Sequence, residues 1–299
     1  MGKELEEIKK RMASSKTNFD GDDEFNTYTK IYVHSNENLK EYIKDLKDKR
    51  VLTVAASGDH MFSSLLGGAT NIDIFDINKY ALMYVELRKY AIKYLEPTDL
   101  LYFFTYLTVE TYLKFNEYLP IHLKEFFDYI FIQCDRYDVN ERFFQDVVEL
   151  SNNTPYHNTK QLKELKDKLE SLNCHSYNCN LYSLPNYIQG TYDVIYLSNI
   201  LAYEENYDRI FNFVRMMKEC YLNDGGEIYY DYIWTIKGNS DKEKFFTRRN
   251  NKSIDSETIK KHADIYEATE PIILSPSHDN HFSGPRSFND VVLRLKKER

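Results

Sequence analysis

Apolar and polar positions along this chain follow two rhythms. Val51 to Ala55, Ile72 to Phe75 and Tyr192 to Leu197 are short, mostly apolar runs with the length of buried strands. Elsewhere apolar residues recur three and four apart, the spacing of one helix face. The two rhythms alternate most tightly from Val51 to Leu95. A strand over Val51 to Ala55 runs into the small-residue turn Ala56-Ser57-Gly58-Asp59, then a helical stretch with Met61, Leu65 and Leu66 that Gly67-Gly68 stop. A second strand, Ile72 to Phe75, ends on Asp76, and a long helix from Asn78 carries Leu82, Val85, Leu87 and Ile92. That order is a βαβ unit.

On either side the pattern is less regular. Leu5, Ile8 and Met12 predict a short amphipathic helix, and Asp20 to Glu24 an acidic link. Ile31 to Val33 reads as extended, and Ser35 or Asn36 as the cap of a helix from Glu37 to Leu46. Beyond Pro97, Thr98 to Glu149 is dense in aromatic residues and reads as three or four helices, two of them separated by Pro120. Thr159 to Leu172 predicts another helix, and Cys174 to Cys179 a third strand. A fourth strand follows from Tyr192, then a helix from Tyr207 to Tyr221 stopped at Asp224-Gly225-Gly226, and a fifth strand over Glu227 to Trp234. Ile265 to Leu274 looks partly extended, and Val291 to Leu295 predicts a last strand. The division expected is a helical cap and linker (1–50), an α/β core (51–96 and 151–299) and a helical insertion (97–150).

The βαβ unit has a chemical reading. A small-residue turn brings backbone N–H groups close to a ligand. Asp76 lies about 18 residues beyond Gly58, near the ~20 expected of a carboxylate that grips ribose hydroxyls. The unit therefore reads as an adenosine site, with an ordinary βαβ unit as the bland alternative. A pyrophosphate site would want glycine at all three positions of G-x-G-x-x-G, and only Gly58 is present. Ligands of open α/β sheets collect at the carboxyl ends of the strands, which brings in Ser198, Asn199 and Tyr203 after the fourth and Asp231 and Tyr232 in the fifth.

The segments VLTVAASGDH and IDIFDIN resemble the S-adenosylmethionine site of class I methyltransferases. More narrowly, they are similar to the bacterial group related to diacylglycerol aminocarboxypropyl transferase of betaine-lipid synthesis, which carries Ser-Gly-Asp after its first strand. The resemblance covers Tyr28 to Leu95 and, more loosely, Tyr192 to Trp234. It implies a Rossmann-like class I methyltransferase fold, with a mostly parallel seven-stranded sheet, a terminal antiparallel strand and a helical insertion. It also implies S-adenosylmethionine, held by Ser57, Gly58, Asp59, Asp76, Ile77, Asn78, Asn180, Leu181, Ser198 and Asn199, with Tyr203 and Asp231 toward the acceptor. His34 and Asn36 would lie against the cofactor, simple helix capping being the alternative. The insertion is either a lid over a small-molecule or lipid acceptor or a packed subdomain. Asp59, Tyr203 and Asp231 stand as candidate bases, and methyl and aminocarboxypropyl transfer both stay open. The other readings are a binding protein without turnover and, third, a nicotinamide oxidoreductase.

Composition narrows the partners. Of 299 residues, 42% are hydrophobic and 29% charged, as in a soluble globular chain. A net charge of −8 argues against nucleic acid and against anionic membranes. No apolar run approaches the ~18 residues of a spanning helix, the start lacks a signal peptide's apolar stretch, and the compartment expected is the cytoplasm. Twenty-six tyrosines are spread along the chain and read as compositional bias. Cys134, Cys174, Cys179 and Cys220 do not suggest a disulfide framework. Neither Cys174-His175 with Cys179 nor His278 with His281 has a zinc spacing, so no metal is expected. Arg248 and Arg249 form a basic patch that reads as a solvated loop, with attraction of an acidic acceptor as the alternative.

Overall fold

The computed structural model describes residues 2–13, 30–145, 154–204, 206–237, 254–275 and 288–298. The expected basic patch, the His278/His281 loop and the acidic link lie outside them. Seven strands make one sheet: β1 (Arg50–Val54), β2 (Asn71–Asp76), β3 (Asn173–Asn178), β4 (Tyr192–Tyr196), β5 (Leu222–Lys237), β6 (Thr269–Leu274) and β7 (Phe288–Lys296). Their order across the sheet is β3-β2-β1-β4-β5-β7-β6. The first five are parallel, and β7 runs antiparallel to both of its neighbours. This is the Rossmann-like class I methyltransferase fold, with its late antiparallel strand slotted inside the sheet edge. The chain reverses direction across the sheet between β1 and β4, so the switch point lies at their carboxyl ends.

Each strand reflects its cover. Val51, Leu52, Thr53 and Val54 are all buried, because β1 is central and packed on both faces, which explains a continuous run instead of an alternation. β3 is the opposite case: Asn-Cys-His-Ser-Tyr-Asn is exposed or half-buried throughout, and its ladder with β2 holds it extended. The insertion between β2 and β3 carries helices Pro97–Tyr106, Val109–Leu113, Ile121–Asp128 and Arg136–Arg142. Its phenylalanines pack on one another and are buried, among them Phe103, Phe104, Phe115, Phe126, Phe127 and Phe131. Arg136 closes the first of these helices by donating to the carbonyls of Tyr106 and Leu107. Ile31–Tyr32 pairs in parallel with Phe144–Gln145 and ties the N-terminal segment to the insertion.

Three expected boundaries are corrected. The helix expected over Glu37 to Leu46 shrinks to Leu39–Tyr42. Glu37 is drawn into the interior, the Asn38 amide bonds the Tyr232 hydroxyl, and Asp45 takes a left-handed φ of 57°, so the turns on both sides are lost. The Asp224-Gly225-Gly226 stretch does not stop a helix. The helix Tyr207–Met216 ends in a π-turn, Met217–Tyr221, and β5 starts at Leu222, with a register shift against β4 taking up the glycines. Ile265 lies in a helix, Ala263–Ala268, and extended structure begins only at Thr269. Among the described residues no helix is long and apolar enough to cross a membrane.

Candidate functional site

The carboxyl ends of β1, β2, β4 and β5 meet around the turn that follows β1. Three non-glycine residues there hold left-handed backbone: Ala56 (φ 43°), Ser198 (φ 51°) and Asp231 (φ 58°). Each costs about 1–3 kcal/mol, and such strain gathers where a site must be shaped. Gly58 is left-handed too, at φ 89°. A Cβ on it would lie 3.0 Å from the Phe62 ring and 3.1 Å from Val85 Cγ2. Its bare side therefore faces the interior, so backbone conformation and packing require glycine here, in place of the close ligand approach expected from the turn.

Ser57 and Asp59 are drawn into the fold. Asp59 is fully buried at the start of the helix Asp59–Leu66. One carboxylate oxygen accepts from Arg88 Nη1 at 2.6 Å and from the Tyr156 hydroxyl; the other accepts from the Ser35 amide, with His34 Nδ1 3.7 Å away. Burial works to raise the Asp59 pKa, but the Arg88 charge and the donors around it hold the carboxyl well below the usual range. Ser57 gives its carbonyl to Arg88 Nη1 at 2.6 Å. Asp59 thus braces the turn, with both of its oxygens engaged by the chain's own donors.

Asp76 is placed differently. Half-buried at the end of β2, it accepts the Ala56 amide on Oδ2 and the Asn78 amide on Oδ1, both at 2.9 Å. Each oxygen keeps a further lone pair. Burial pushes its carboxyl up to about 6. Next to it, Ile77 is 45% exposed, an apolar surface beside an acid. Asn78 is spent on structure: its side-chain oxygen caps the helix Lys79–Tyr94 through the Tyr80 amide, and its amide group donates to the Lys30 carbonyl. After β3, the Cys179 amide bonds the Asp76 carbonyl, which sets Asn180 and Leu181 beside the β2 end. Asn180 is exposed and caps the 3-10 turn Leu181–Asn186.

At the end of β4, Ser198 donates to Glu37, and its hydroxyl lies 3.4 Å from Asn199 Oδ1. Glu37 also accepts from the Tyr42 hydroxyl and, at 3.1 Å, from His60 Nε2. Burial opposes the Glu37 charge, but the His60 ring and the hydroxyls of Ser198 and Tyr42 outweigh it and leave the carboxyl below its ordinary value. Asp231 is buried in β5, and Tyr232 beside it donates to Asp290 and accepts from Asn38. The Tyr203 side chain lies outside the described residues. His34 bonds the Phe104 carbonyl, and Ser35 Oγ accepts the Glu37 amide. The structure thus brings the turn, Asp76-Ile77, Asn180-Leu181 and Ser198-Asn199 to one edge.

Sequence reading missed Glu37, Tyr42, His60 and Arg88. Glu37 looked like an ordinary first-turn acid. His60 had a weak signal, since it follows the turn directly on the helix whose amino end faces the site. Among the described residues no group of three or more His, Cys, Asp or Glu side chains could hold a metal.

No protein-family model and no curated protein matches the sequence. Similar solved structures include the N-methyltransferase NodS from Bradyrhizobium japonicum WM9 in complex with S-adenosyl-L-homocysteine, 10% identical, with 100% of each chain covered and a TM-score of 0.40. A methyltransferase from Pyrococcus furiosus is 10% identical over 88% of this chain and 80% of its own, with a TM-score of 0.38. An rRNA methylase from Streptococcus thermophilus is 11% identical over 88% and 94%, with a TM-score of 0.36. Likenesses this low assign no activity.

Proposed function

We propose that this chain is an S-adenosylmethionine-dependent transferase that moves a methyl or an aminocarboxypropyl group to a small-molecule or lipid acceptor. The observation that carries the reading is Asp76: a half-buried carboxylate at the β2 end, bonded to the left-handed turn and still able to accept on both oxygens. Those lone pairs fit the two hydroxyls of a ribose. The exposed Ile77 and half-buried Leu181 fit the faces of an adenine, with Asn180 at its polar edge. The first-turn amides after Gly58 fit the carboxylate of a methionyl chain.

A bound sulfonium supplies an already activated carbon. The protein's share is then alignment and exclusion of water, which can lower a barrier by about 7–11 kcal/mol. Asp76 fixes the sugar, the turn fixes the backbone beneath it, and Ser198-Asn199 stand at the strand end nearest the acceptor side. The aminocarboxypropyl alternative comes from the Ser-Gly-Asp turn, Ser57 to Asp59.

Isothermal titration with S-adenosylmethionine, S-adenosylhomocysteine and NAD tests the reading. Binding of the first two supports it, and binding of NAD alone overturns it. Chromatography of the nucleoside product then separates the reactions. Methylthioadenosine marks aminocarboxypropyl transfer and adenosylhomocysteine marks methyl transfer. A ligand that binds but is never turned over with any acceptor marks a binding protein.

A further inference from the structure

Among the buried carboxylates in or beside the parallel part of the sheet, two have an arginine. Asp59 meets Arg88 at 2.6 Å and Asp73 meets Arg50 at 2.8 Å. Glu37, only 1% exposed, has no lysine or arginine partner among the described residues. Its bonds come from the hydroxyls of Ser198 and Tyr42 and from His60 Nε2. His60 is equally buried, and its Nδ1 has no hydrogen-bond partner. With no acceptor for Nδ1 among the described residues, Nε2 is the ring nitrogen that serves Glu37. Three side-chain groups thus converge on the carboxylate, and none is a lysine or an arginine.

A buried carboxylate with no lysine or arginine beside it is costly, and the place of this one suggests what completes it. His60 stands two residues after Gly58, and Ser198 follows the β4 end, so Glu37 bridges the two lips of the switch point. The rings of Tyr196, Tyr229 and Tyr232 surround Tyr42 at centroid distances of 5.8, 5.8 and 6.0 Å and keep water from that side. An adenosyl ligand gripped at Asp76 and extended over the turn toward β4 would bring its sulfonium to the residues that Glu37 joins. Resting on the function proposed above, we infer that Glu37 is the counter-charge of the sulfonium. It is a specificity-determining residue that favours the cationic substrate over the neutral thioether left after transfer.

Titration calorimetry with three probes tests this. S-adenosylmethionine and sinefungin carry a positive charge at the sulfur position or its equivalent, and S-adenosylhomocysteine carries none. In the wild type both cations are expected to bind at least about tenfold more tightly than the thioether. In Glu37→Gln that preference is expected to fall to within about threefold while thioether affinity is kept, which also reports an intact site. Equal wild-type affinities for all three, or an unchanged preference in Glu37→Gln, overturn the inference and leave the transferase reading standing. A wild type that binds none of the three overturns both. Should Glu37→Gln fail to fold, the wild-type ratio of sinefungin to thioether decides alone.

Discussion

Two buried carboxylates flank one turn, and their surroundings differ in kind. Asp59 is closed: an arginine, a tyrosine, a histidine and a backbone amide occupy it, and the guanidinium lies among the rings of Phe62 and Phe104. Glu37 has a similar number of donors but no lysine or arginine among the described residues. Equal burial therefore does not mean equal purpose. The Asp59 network is complete without a ligand and holds the turn in shape. The Glu37 network gains by a positive charge from outside, and it sits where the proposed sulfonium would be.

The largest test of that contrast removes the cation from the closed side. Arg88→Ala strands Asp59 as a buried, unpaired charge and is expected to cost about 3–5 kcal/mol in urea denaturation. The Asp59 carboxyl is depressed in the fold. Its stabilisation is therefore full above the unfolded carboxyl value, near 4, and is lost as pH falls below it. The variant should lose part of that acid-side slope. A cost below about 1 kcal/mol would mean that the closed network is not what braces the turn.

Gly58→Ala comes next. It combines a left-handed φ with a Cβ 3.0 Å from the Phe62 ring, and is expected to cost about 2–3 kcal/mol, read as a lower unfolding midpoint. Phe62→Leu in the same chain should recover the packing share and leave the backbone share. No recovery would show that the Phe62 contact contributes nothing.

Asp76 gives the pH arm. Its folded carboxyl is raised to about 6, so burial destabilises the fold progressively as pH rises from near 4 to about 6. Ribose binding needs the ionised form, so affinity for S-adenosylmethionine should rise over the same window. Asp76→Asn is expected to weaken binding by about tenfold and to flatten that dependence, measured by calorimetry at acid and neutral pH. A wild-type affinity that does not change with pH would detach Asp76 from the ligand.

How much of this was legible beforehand depended on range. β1 and β2 are written locally, because strands buried on both faces read as apolar runs. The Gly58 turn and the acid at Asp76 are visible from spacing alone. β3 was found from its position, since Asn173 to Asn178 has no apolar pattern and is held by its ladder with β2. Glu37 was not legible: its partner Ser198 is 161 residues away, and helix propensity near Glu37 lost to tertiary bonds. Arg88 was equally hidden, as helical periodicity does not say which long polar residue turns inward.

The smallest expected effect separates charge from hydrogen bonding on the open side. Ser198→Ala removes one neutral donor from Glu37 and leaves its carboxylate in place. Losing that donor should cost about 1 kcal/mol of stability and shift affinity for any adenosyl ligand by no more than about threefold. The preference for a cation over the thioether should persist or grow, because the carboxylate has lost a competitor for its negative charge. Parallel titrations of Ser198→Ala with S-adenosylmethionine and S-adenosylhomocysteine read this directly. If the preference vanishes here as fully as in Glu37→Gln, the hydroxyl and not the charge sets it, and the two sides of the turn differ less than their partners suggest.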